Sequence, residues 1–234
     1  MIICLETSTN LCSVALCNSA GVISLRESNE LKSHASMLTV FIGEILREAG
    51  IKTRDLDAVA VSKGPGSYTG LRIGVSVAKG IAYASSIPLI GVDTTFSMFR
   101  GITGGQKENK IIDERSLFCP MLDARRMEVY YAIYDNAGIT IKEITADIIS
   151  EESFSDIDEN RKIIFFGDGA SKCREVIKRP NVYFDEDFRI SASHMYMPAI
   201  LAFNDRKFES VAYFEPFYLK DFITSKTRKN ILGK

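Results

Sequence analysis

Residues 63–85 read KGPGSYTGLRIGVSVAKGIAYAS, and this stretch is the strongest structural signal in the chain. It follows a short apolar segment, residues 58–62, whose composition predicts a buried strand. Glycines are least costly where the backbone bends sharply or approaches another group closely, so Gly64 and Gly66 predict a tight loop. Ser67 or Thr69 can then cap a helix that we expect to last to about Ala84.

Small residues recur every four positions along that helix, so they lie in one row on its surface. Two glycines inside a helix cost about 1 kcal/mol each relative to alanine, which suggests that close packing offsets the cost. The preceding helix, predicted for residues 33–49, carries apolar side chains at helical spacing. The two helices together predict a face that docks a partner, and its expected residues are Met37, Phe41, Ile45, Gly70, Gly74, Ala78 and Ala82.

The composition is that of an ordinary globular protein, with 234 residues, 46% hydrophobic, 25% charged and a net charge of −1. This near-neutral charge argues against a protein that binds nucleic acid by itself, because phosphate neutralisation needs clustered Lys and Arg. Residues 219–234 are a local exception, with five basic residues and one acidic residue. We predict a basic tail there, frayed in solvent, with contact to RNA as the alternative.

Nothing in the sequence predicts secretion or membrane insertion. The first residues, MIICLETS, lack a basic region followed by a long apolar run. No stretch is apolar over the length that a membrane helix needs. The five cysteines have no metal-ligand spacing, and most lie inside apolar strands, which favours reduced and packed thiols. We therefore expect a cytoplasmic protein.

The chain reads as two copies of one topological unit. The pattern predicts three strands followed by helix, strand, helix, strand and helix, and the series starts again after residue 116. A shift of 117 positions aligns an acidic strand end, an alternating strand and an Ala-Gly turn without a gap. We therefore predict a two-lobed α/β protein with lobes at 1–100 and 117–218, a linker at 101–116 and the tail at 219–234. In the second copy, the expected helices lie near 148–154, 170–178 and 193–203, with a short strand near Val182.

Other glycine loops fit the sequence less well. A dinucleotide-binding loop would also lie between a strand and a helix, and Asp93 ends the next strand as a ribose-binding acid would. The spacing, however, is G-x-G-x-x-x-G, and Pro65 removes an amide donor where such a loop needs one. No Gly-Lys-Ser/Thr follows, which excludes a P-loop. A structural turn is favoured.

The order of elements resembles that of the ribonuclease-H-like, actin-like ATPase superfamily, and the unit would be a duplicated βββαβαβα. In that superfamily, the turns between the first and second strands of each half grip phosphate, and a later glycine loop holds adenosine. The resemblance implies a nucleotide site at Glu6, Thr7, Ser8, Asp123, Gly167 and Gly169. We expect this site to be vestigial, because the second turn carries Arg125, Arg126 and Met127 where bare amides would have to approach phosphate. Weak ATP or ADP binding is the most we expect, and no other cofactor.

The stretch GPGSYTGLRIG at 64–74 resembles the most distinctive part of the TsaB (YeaZ) family. The likeness extends to LETS at 5–8, DARRMEVY at 123–130 and PFYL at 216–219, so it spans nearly the whole chain. The resemblance implies a non-catalytic dimerisation subunit related to the glycoproteases. Its partners would be TsaD, which transfers threonylcarbamoyl to the tRNA adenosine beside the anticodon, and the ATPase TsaE. The chain would pair with itself when alone and meet tRNA only through the complex.

Metal-dependent or nucleophilic chemistry has little support in the sequence. The only histidines, His34 and His194, lie far apart, whereas the catalytic relatives hold a metal with a histidine pair one helical turn apart. There is no Gly-x-Ser-x-Gly elbow. The alternative function is an actin-like kinase or a glycoprotease-like hydrolase that is active without partners. For the docking function, we expect Ala78→Arg to abolish association without unfolding the protein.

Overall fold

The computed structural model describes residues 1–29, 34–104 and 113–219. Residues 105–112 of the predicted linker and residues 220–234 of the predicted basic tail therefore lie outside the described residues. The first lobe has the predicted order of elements, and its bounds are β1 Ile2–Glu6, β2 Cys12–Asn18, β3 Gly21–Ser28, α1 His34–Glu48, β4 Ala58–Gly64, α2 Tyr68–Ser85, β5 Leu89–Asp93 and α3 Thr94–Gly104.

The second lobe repeats the strand order of the first. Its elements are β6 Leu117–Asp123, β7 Glu128–Asp135, β8 Thr140–Ile148, β9 Ile163–Phe166, β10 Val182–Asp185 and α4 Tyr196–Asn204. The two sheets have the orders β3-β2-β1-β4-β5 and β8-β7-β6-β9-β10, each with an antiparallel meander beside parallel strands. The predicted two-lobed α/β fold is therefore confirmed, and the duplication holds at the level of the sheets.

The helices are not duplicated. The helix predicted at 148–154 is wrong, because β8 runs to Ile148 and turns follow. The Ser150 amide donates to the Ser153 hydroxyl at 2.9 Å, and the Ser153 amide donates to the Ser150 carbonyl. Side-chain bonds to the local backbone such as the first compete with helix formation. The helix predicted at 170–178 is also wrong, since only a 3₁₀ turn forms, at Ser171–Cys173. So short a segment, ending just before Arg179 and Pro180, has little helical stability of its own.

Arg179 stabilises the irregular segment at 149–161, which includes most of the helix predicted at 148–154. The Arg179 guanidinium donates hydrogen bonds to the carbonyls of Phe154, Asp158 and Arg161 at 3.0–3.1 Å. Phe154 is buried and contacts Phe165 of the sheet, with ring centroids 5.1 Å apart. Apolar turns thus cover the outer face of the second sheet, and Arg179 satisfies their backbone carbonyls.

Each lobe packs one of its helices against the sheet of the other lobe. On the outer face of the first sheet lie α1 and α2, but α3 packs its Met98, Phe99 and Ile102 against the second sheet. Conversely, Met195 and Ala199, at the start of α4 and within it, pack against the inner face of the first sheet. The lobes therefore interlock through α3 and α4. The predicted lobe boundaries stay a prediction, although the last turn of α3 occupies the start of the proposed linker.

The cysteines and the hydrophobicity of the helices can also be compared with the sequence predictions. All five cysteines are buried and free, as their apolar surroundings predict. Among the described residues, no helix is both long and apolar enough to cross a membrane.

Candidate functional site

A cleft opens where the carboxyl ends of the parallel strands of both lobes meet. Its walls are the β1–β2 turn and the glycine loop of the first lobe, with the β6–β7 turn and the loop at 167–169 of the second. Two cavities occupy it, of about 540 and 450 Å³, and they share Thr9, Asn10 and Asp168 as lining residues. Volumes of this size are typical of small-molecule sites.

The β1–β2 turn is more buried than a ligand-gripping turn would be. Glu6, Thr7 and Ser8 are all at most 1% exposed. The Ser8 amide donates to Glu6 Oε1 at 2.6 Å, and the hydroxyls of Ser8 and Ser62 also interact with the Glu6 carboxyl. Burial raises the pKa of the Glu6 carboxyl, because desolvation disfavours its charged form. Of the three, only Ser8 lines a cavity.

Three glycines of the stretch at 63–85 allow α2 and the loop before it to pack closely against the β1–β2 turn. A Cβ at Gly66 would overlap the Ser8 carbonyl, and one at Gly70 would overlap the Thr7 carbonyl. At Gly74, a Cβ would overlap the Thr7 hydroxyl. The Ser67 amide completes the contact with a 2.6 Å hydrogen bond to the Ser8 carbonyl. These glycines are therefore required by the close approach of α2 to the first turn.

This packing corrects the predicted docking face. Ala78 and Ala82, which continue the glycine row, are 0% and 2% exposed, so the whole row faces the protein's own sheet. On α1, Phe41 and Ile45 are buried and Met37 is half-buried against the same core. The expectation that these side chains form an outward ridge is wrong, because the close approach that the small residues permit is made within the lobe.

The outer surface of the two helices carries a different set of residues. Val40 is 46% exposed, and Ile73, Val77 and Ile81 are partly buried on the flank of α2. Two helix-interior glycines face open space there, with nothing within 4 Å of a Cβ at either Gly43 or Gly80. Gly80 lies outside the buried row of α2, and Gly43 lies on α1. No close contact within the described chain explains either glycine.

The second turn carries two exposed arginine side chains. Arg125 and Arg126 have φ angles of 73° and 51°, and the Asp123 carboxylate accepts a hydrogen bond from the Arg125 amide at 2.8 Å. Asp123 also forms an ion pair with Lys172. Arg125 lines the smaller cavity, where bare backbone amides would be needed for a phosphate cradle. That the nucleotide site is vestigial stays a prediction.

The loop at 167–169 needs its two glycines because it packs directly against the backbone of β6. A Cβ at Gly167 would overlap the Met121 carbonyl, and one at Gly169 would lie 2.8 Å from the Leu122 carbonyl carbon. The intervening Asp168 accepts a hydrogen bond from the Asp123 amide at 3.1 Å. Burial raises the pKa of the Asp168 carboxyl. Gly167 and Asp168 line the cleft, whereas close packing on β6 accounts for Gly169.

The sequence offers little support for a metal site at either of the two histidines. His34 begins α1, while the His194 ring is buried against Gly101 and stacks near Phe188, with centroids 5.4 Å apart. Burial lowers the pKa of His194. Within the described part of the chain, no group of three or more His, Cys, Asp or Glu residues is placed to hold a metal ion.

Near the end of the described chain, residues 209–219 form a strap across the first lobe. Its Phe217 amide donates to the Lys63 carbonyl at 2.6 Å, and Gly64 leaves space for the Phe217 carbonyl. Tyr218 packs on Tyr68 with ring centroids 4.9 Å apart, and Arg72 Nε donates to the Tyr218 hydroxyl at 3.2 Å. Sequence reasoning did not foresee this strap, since its contacts join residues about 150 positions apart.

Comparison with known proteins agrees with this geometry. A family model described as "TsaD: tRNA N6-adenosine threonylcarbamoyltransferase" matches residues 28–223. TsaB of Escherichia coli, a tRNA threonylcarbamoyladenosine biosynthesis protein, is 28% identical, covering 96% of each chain. TsaB of Buchnera aphidicola subsp. Schizaphis graminum is 30% identical over 77% of this chain and 82% of its own. The chain belongs to the TsaB family. YeaZ from Pseudomonas aeruginosa has the same fold, with a TM-score of 0.77 at 25% identity, covering 93% of this chain and 99% of its own.

The structure brings together the four stretches by which the sequence resembles TsaB. LETS ends at the first turn, GPGSYTG packs beneath it, DARRMEVY forms the second turn, and PFYL is the end of the strap. Residues of all four line the smaller cavity, among them Ser8, Gly66, Arg125 and Tyr218. In this TsaB-family chain, the distinctive residues therefore build the cleft rather than the outer face of α1 and α2.

Proposed function

We propose that the chain is a non-catalytic subunit of the cytoplasmic machinery that makes threonylcarbamoyladenosine in tRNA. It binds the transferase TsaD and activates it for threonylcarbamoyl transfer to the adenosine adjacent to the anticodon. The ATPase TsaE joins the same complex, and two copies of the chain pair when TsaD is absent. The full-length likeness to TsaB proteins supports this proposal, as does the match to the TsaD family model.

One observation carries the proposal: the outer face of α1 and α2 contains glycines that their own chain does not use. A glycine in a helix interior costs about 0.5–1 kcal/mol relative to alanine. Gly43 and Gly80 have open space where a Cβ would point, with Val40, Ile73 and Ile81 on the same two helices. Such a surface lets the backbone of a second helix approach closely while apolar side chains are buried around it.

The size of this face suits a specific association. A standard interface buries about 800 Å² per partner, which two helices of 15 and 18 residues can supply. At about 25 cal/mol per Å² of apolar surface, its burial can exceed the rigid-body cost of association. The occupant is TsaD in the complex and a second copy of the chain otherwise.

Chemistry in this complex belongs to the transferase. The chain binds no cofactor of its own in this proposal, beyond weak ATP or ADP binding in the cleft. Arg125 and Arg126 support this, because they stand in the second turn, where a phosphate cradle needs bare backbone amides. Isothermal titration of the isolated chain with ATP tests it, and micromolar binding with turnover would contradict it.

A matched pair of substitutions tests the docking face. Val40→Arg places a charge on the outer face of α1, and Leu201→Arg places one at a similarly exposed site on α4, where the two side chains are 46% and 50% exposed. We expect Val40→Arg to abolish binding to purified TsaD, and self-association, in size-exclusion chromatography with light scattering. Leu201→Arg should leave both unchanged, and both variants should retain the native circular dichroism spectrum. Equal association by the two variants would refute the assignment.

Ala78→Arg, the variant that the sequence suggested for this purpose, is not suitable. Ala78 is 0% exposed in the core beneath α2, so an arginine there should unfold the lobe. Loss of association by that variant would therefore report folding rather than docking.

A further inference from the structure

The strap and one flank of α2 together form a raised surface, here called the strap ridge. Its residues are Arg72, Lys79, Tyr83 and Tyr213. Lys79 Nζ donates hydrogen bonds to the carbonyls of Ala212 and Phe214, at 3.2 and 3.0 Å. Phe214 is buried in the core of the first lobe and anchors the strap at this point. Two turns earlier on α2, Arg72 binds the strap's Tyr218, so the strap is fixed to the helix at two places.

Helical geometry places the strap ridge beside the docking face. Arg72, Lys79 and Tyr83 recur at helical spacing, so they lie along one flank of α2. Ser76 and Gly80 are exposed beside this flank, at the centre of the outer face of the helix. The strap ridge therefore continues the surface that we assign to partner binding.

The strap ridge carries two strongly exposed aromatic rings. Among the described residues, Tyr213 and Tyr83 are the most exposed of the large hydrophobic side chains, at 87% and 82%. Tyr83 lies one helical turn beyond Lys79, and Tyr213 stands between the two residues whose carbonyls Lys79 binds. Rings so exposed bury little area on folding, whereas tyrosine is enriched among the residues that dominate binding at protein interfaces. The ridge therefore has the composition of a protein contact.

Lys79 gives the strap ridge a positive charge that the protein does not neutralise. Within the described chain, its ammonium bonds only backbone carbonyls and forms no ion pair with a carboxylate. The charge of Arg72 is partly offset, since its pKa is raised by the Tyr218 hydroxyl and, to a smaller extent, by the charge of Glu215. An unpaired ammonium between two exposed tyrosine hydroxyls is a suitable set of donors for a carboxylate.

The charges of the two helices favour a partner other than a second copy of the chain. There is no Asp or Glu in α2, and α1 contains only Glu44 and Glu48. Both carboxylates form ion pairs with Arg26 of β3, so they are already neutralised within the lobe. Two copies joined through these helices would bring cations together without an unpaired carboxylate from either helix. Such a pair forms through the apolar part of the face, and the strap ridge adds nothing to it.

We propose that the strap ridge binds an acidic surface of TsaD and selects TsaD over a second copy of the chain. A carboxylate of TsaD pairs with Lys79, while the rings of Tyr83 and Tyr213 pack on either side of it. The inference rests on the proposed function, in which TsaD occupies the outer face of α1 and α2. It adds the strap to that face and states the charge that the transferase presents there.

Removing the two rings tests whether the strap ridge takes part in the contact. Titration calorimetry of the full chain with purified TsaD compares Tyr83→Ala and Tyr213→Ala with Ile148→Ala, which truncates a 73% exposed side chain on β8. We expect each tyrosine variant to weaken TsaD binding by at least about tenfold, as a dominant aromatic contact does. Ile148→Ala should bind normally. None of the three should melt more than about 2 °C below the natural protein, because the side chains removed are exposed.

A matched pair of charges at Ser76 tests which partner lies on the ridge. Ser76 is exposed on α2, so Ser76→Lys and Ser76→Glu add flexible side chains of opposite charge at the same place. If the TsaD surface is acidic, Ser76→Lys should bind TsaD at least about fivefold more tightly than Ser76→Glu. Added salt should reduce this difference. Self-association, measured by light scattering, should show the reverse order, because the new carboxylate meets the cations of a second copy.

The outcomes separate this inference from the proposed function. Loss of TsaD binding in Val40→Arg, with normal binding in both tyrosine variants, would overturn the strap ridge and leave the docking face in place. Equal TsaD binding by the two Ser76 variants, or tighter binding by Ser76→Glu, would overturn the acidic partner. Tyrosine variants that lose self-association more than TsaD binding would assign the ridge to a second copy and overturn the proposal. Absence of TsaD binding by the natural chain would overturn both.

Discussion

Replacing single glycines of α2 by alanine tests how this helix is used on its two sides. At Gly80, the added Cβ meets nothing within 4 Å, so only the gain in helix propensity remains, about 1 kcal/mol. At Gly70, the same gain is opposed by overlap of the Cβ with the Thr7 carbonyl, which is backbone and cannot rotate away. Overpacking of this kind costs up to about 3 kcal/mol, for a net loss of about 2 kcal/mol.

Thermal unfolding separates these outcomes. For a protein of this size, 1 kcal/mol shifts the melting temperature by about 2–4 °C. Gly80→Ala should therefore melt about 2–4 °C higher than the natural protein, and Gly70→Ala about 4–8 °C lower. The two variants carry the same chemical change in the same helix, so each is the control for the other. If Gly70→Ala is as stable as Gly80→Ala, the packing explanation for the glycine row is refuted.

The same pair reports on the partner. If a second helix approaches the outer face closely, the methyl group of Gly80→Ala should weaken binding to TsaD while it stabilises the free chain. Titration calorimetry of both variants with TsaD measures this. An unchanged affinity for Gly80→Ala would mean that Gly80 is not part of the contact.

Two further predictions concern the polar side chains of Glu6 and Arg179. Because burial raises the pKa of Glu6, its stabilising contribution is fully present below its unfolded-state pKa and is lost as the pH rises through the folded-state value. Glu6→Gln keeps an acceptor for the Ser8 amide, so its stability relative to the natural protein should increase as the pH rises from about 4.5 to 7 in urea titrations, and a constant difference would contradict this. Arg179→Ala should lower the free energy of unfolding by about 2–3 kcal/mol, because several carbonyls lose a charged donor. Arg179→Lys, which cannot span them with one planar group, should recover only part of that loss.

Local patterns were enough to predict the strands and the helices of the first lobe. Alternating and apolar runs predicted the order of the elements along the chain, and Ser67 marked the start of α2, where its hydroxyl accepts a hydrogen bond from the Gly70 amide at 3.3 Å. The repeat in the sequence predicted the second sheet, because an acidic strand end and an Ala-Gly turn recur at the same spacing. The missing helices of the second lobe were beyond these rules, since Arg179 stabilises turns from a distance in the sequence.

The sequence by itself therefore determined the family, the two-sheet topology and the glycine loop, because each depends on residues that are neighbours along the chain. Which side of α2 is buried was decided only by the tertiary structure. A row of small side chains allows a close approach but does not say by what, and here the Thr7 and Ser8 turn of the same lobe makes that approach. The outer face with Gly43 and Gly80, and the smaller cavity that Ser8 shares with Arg125 and Tyr218, exist only once distant segments have met.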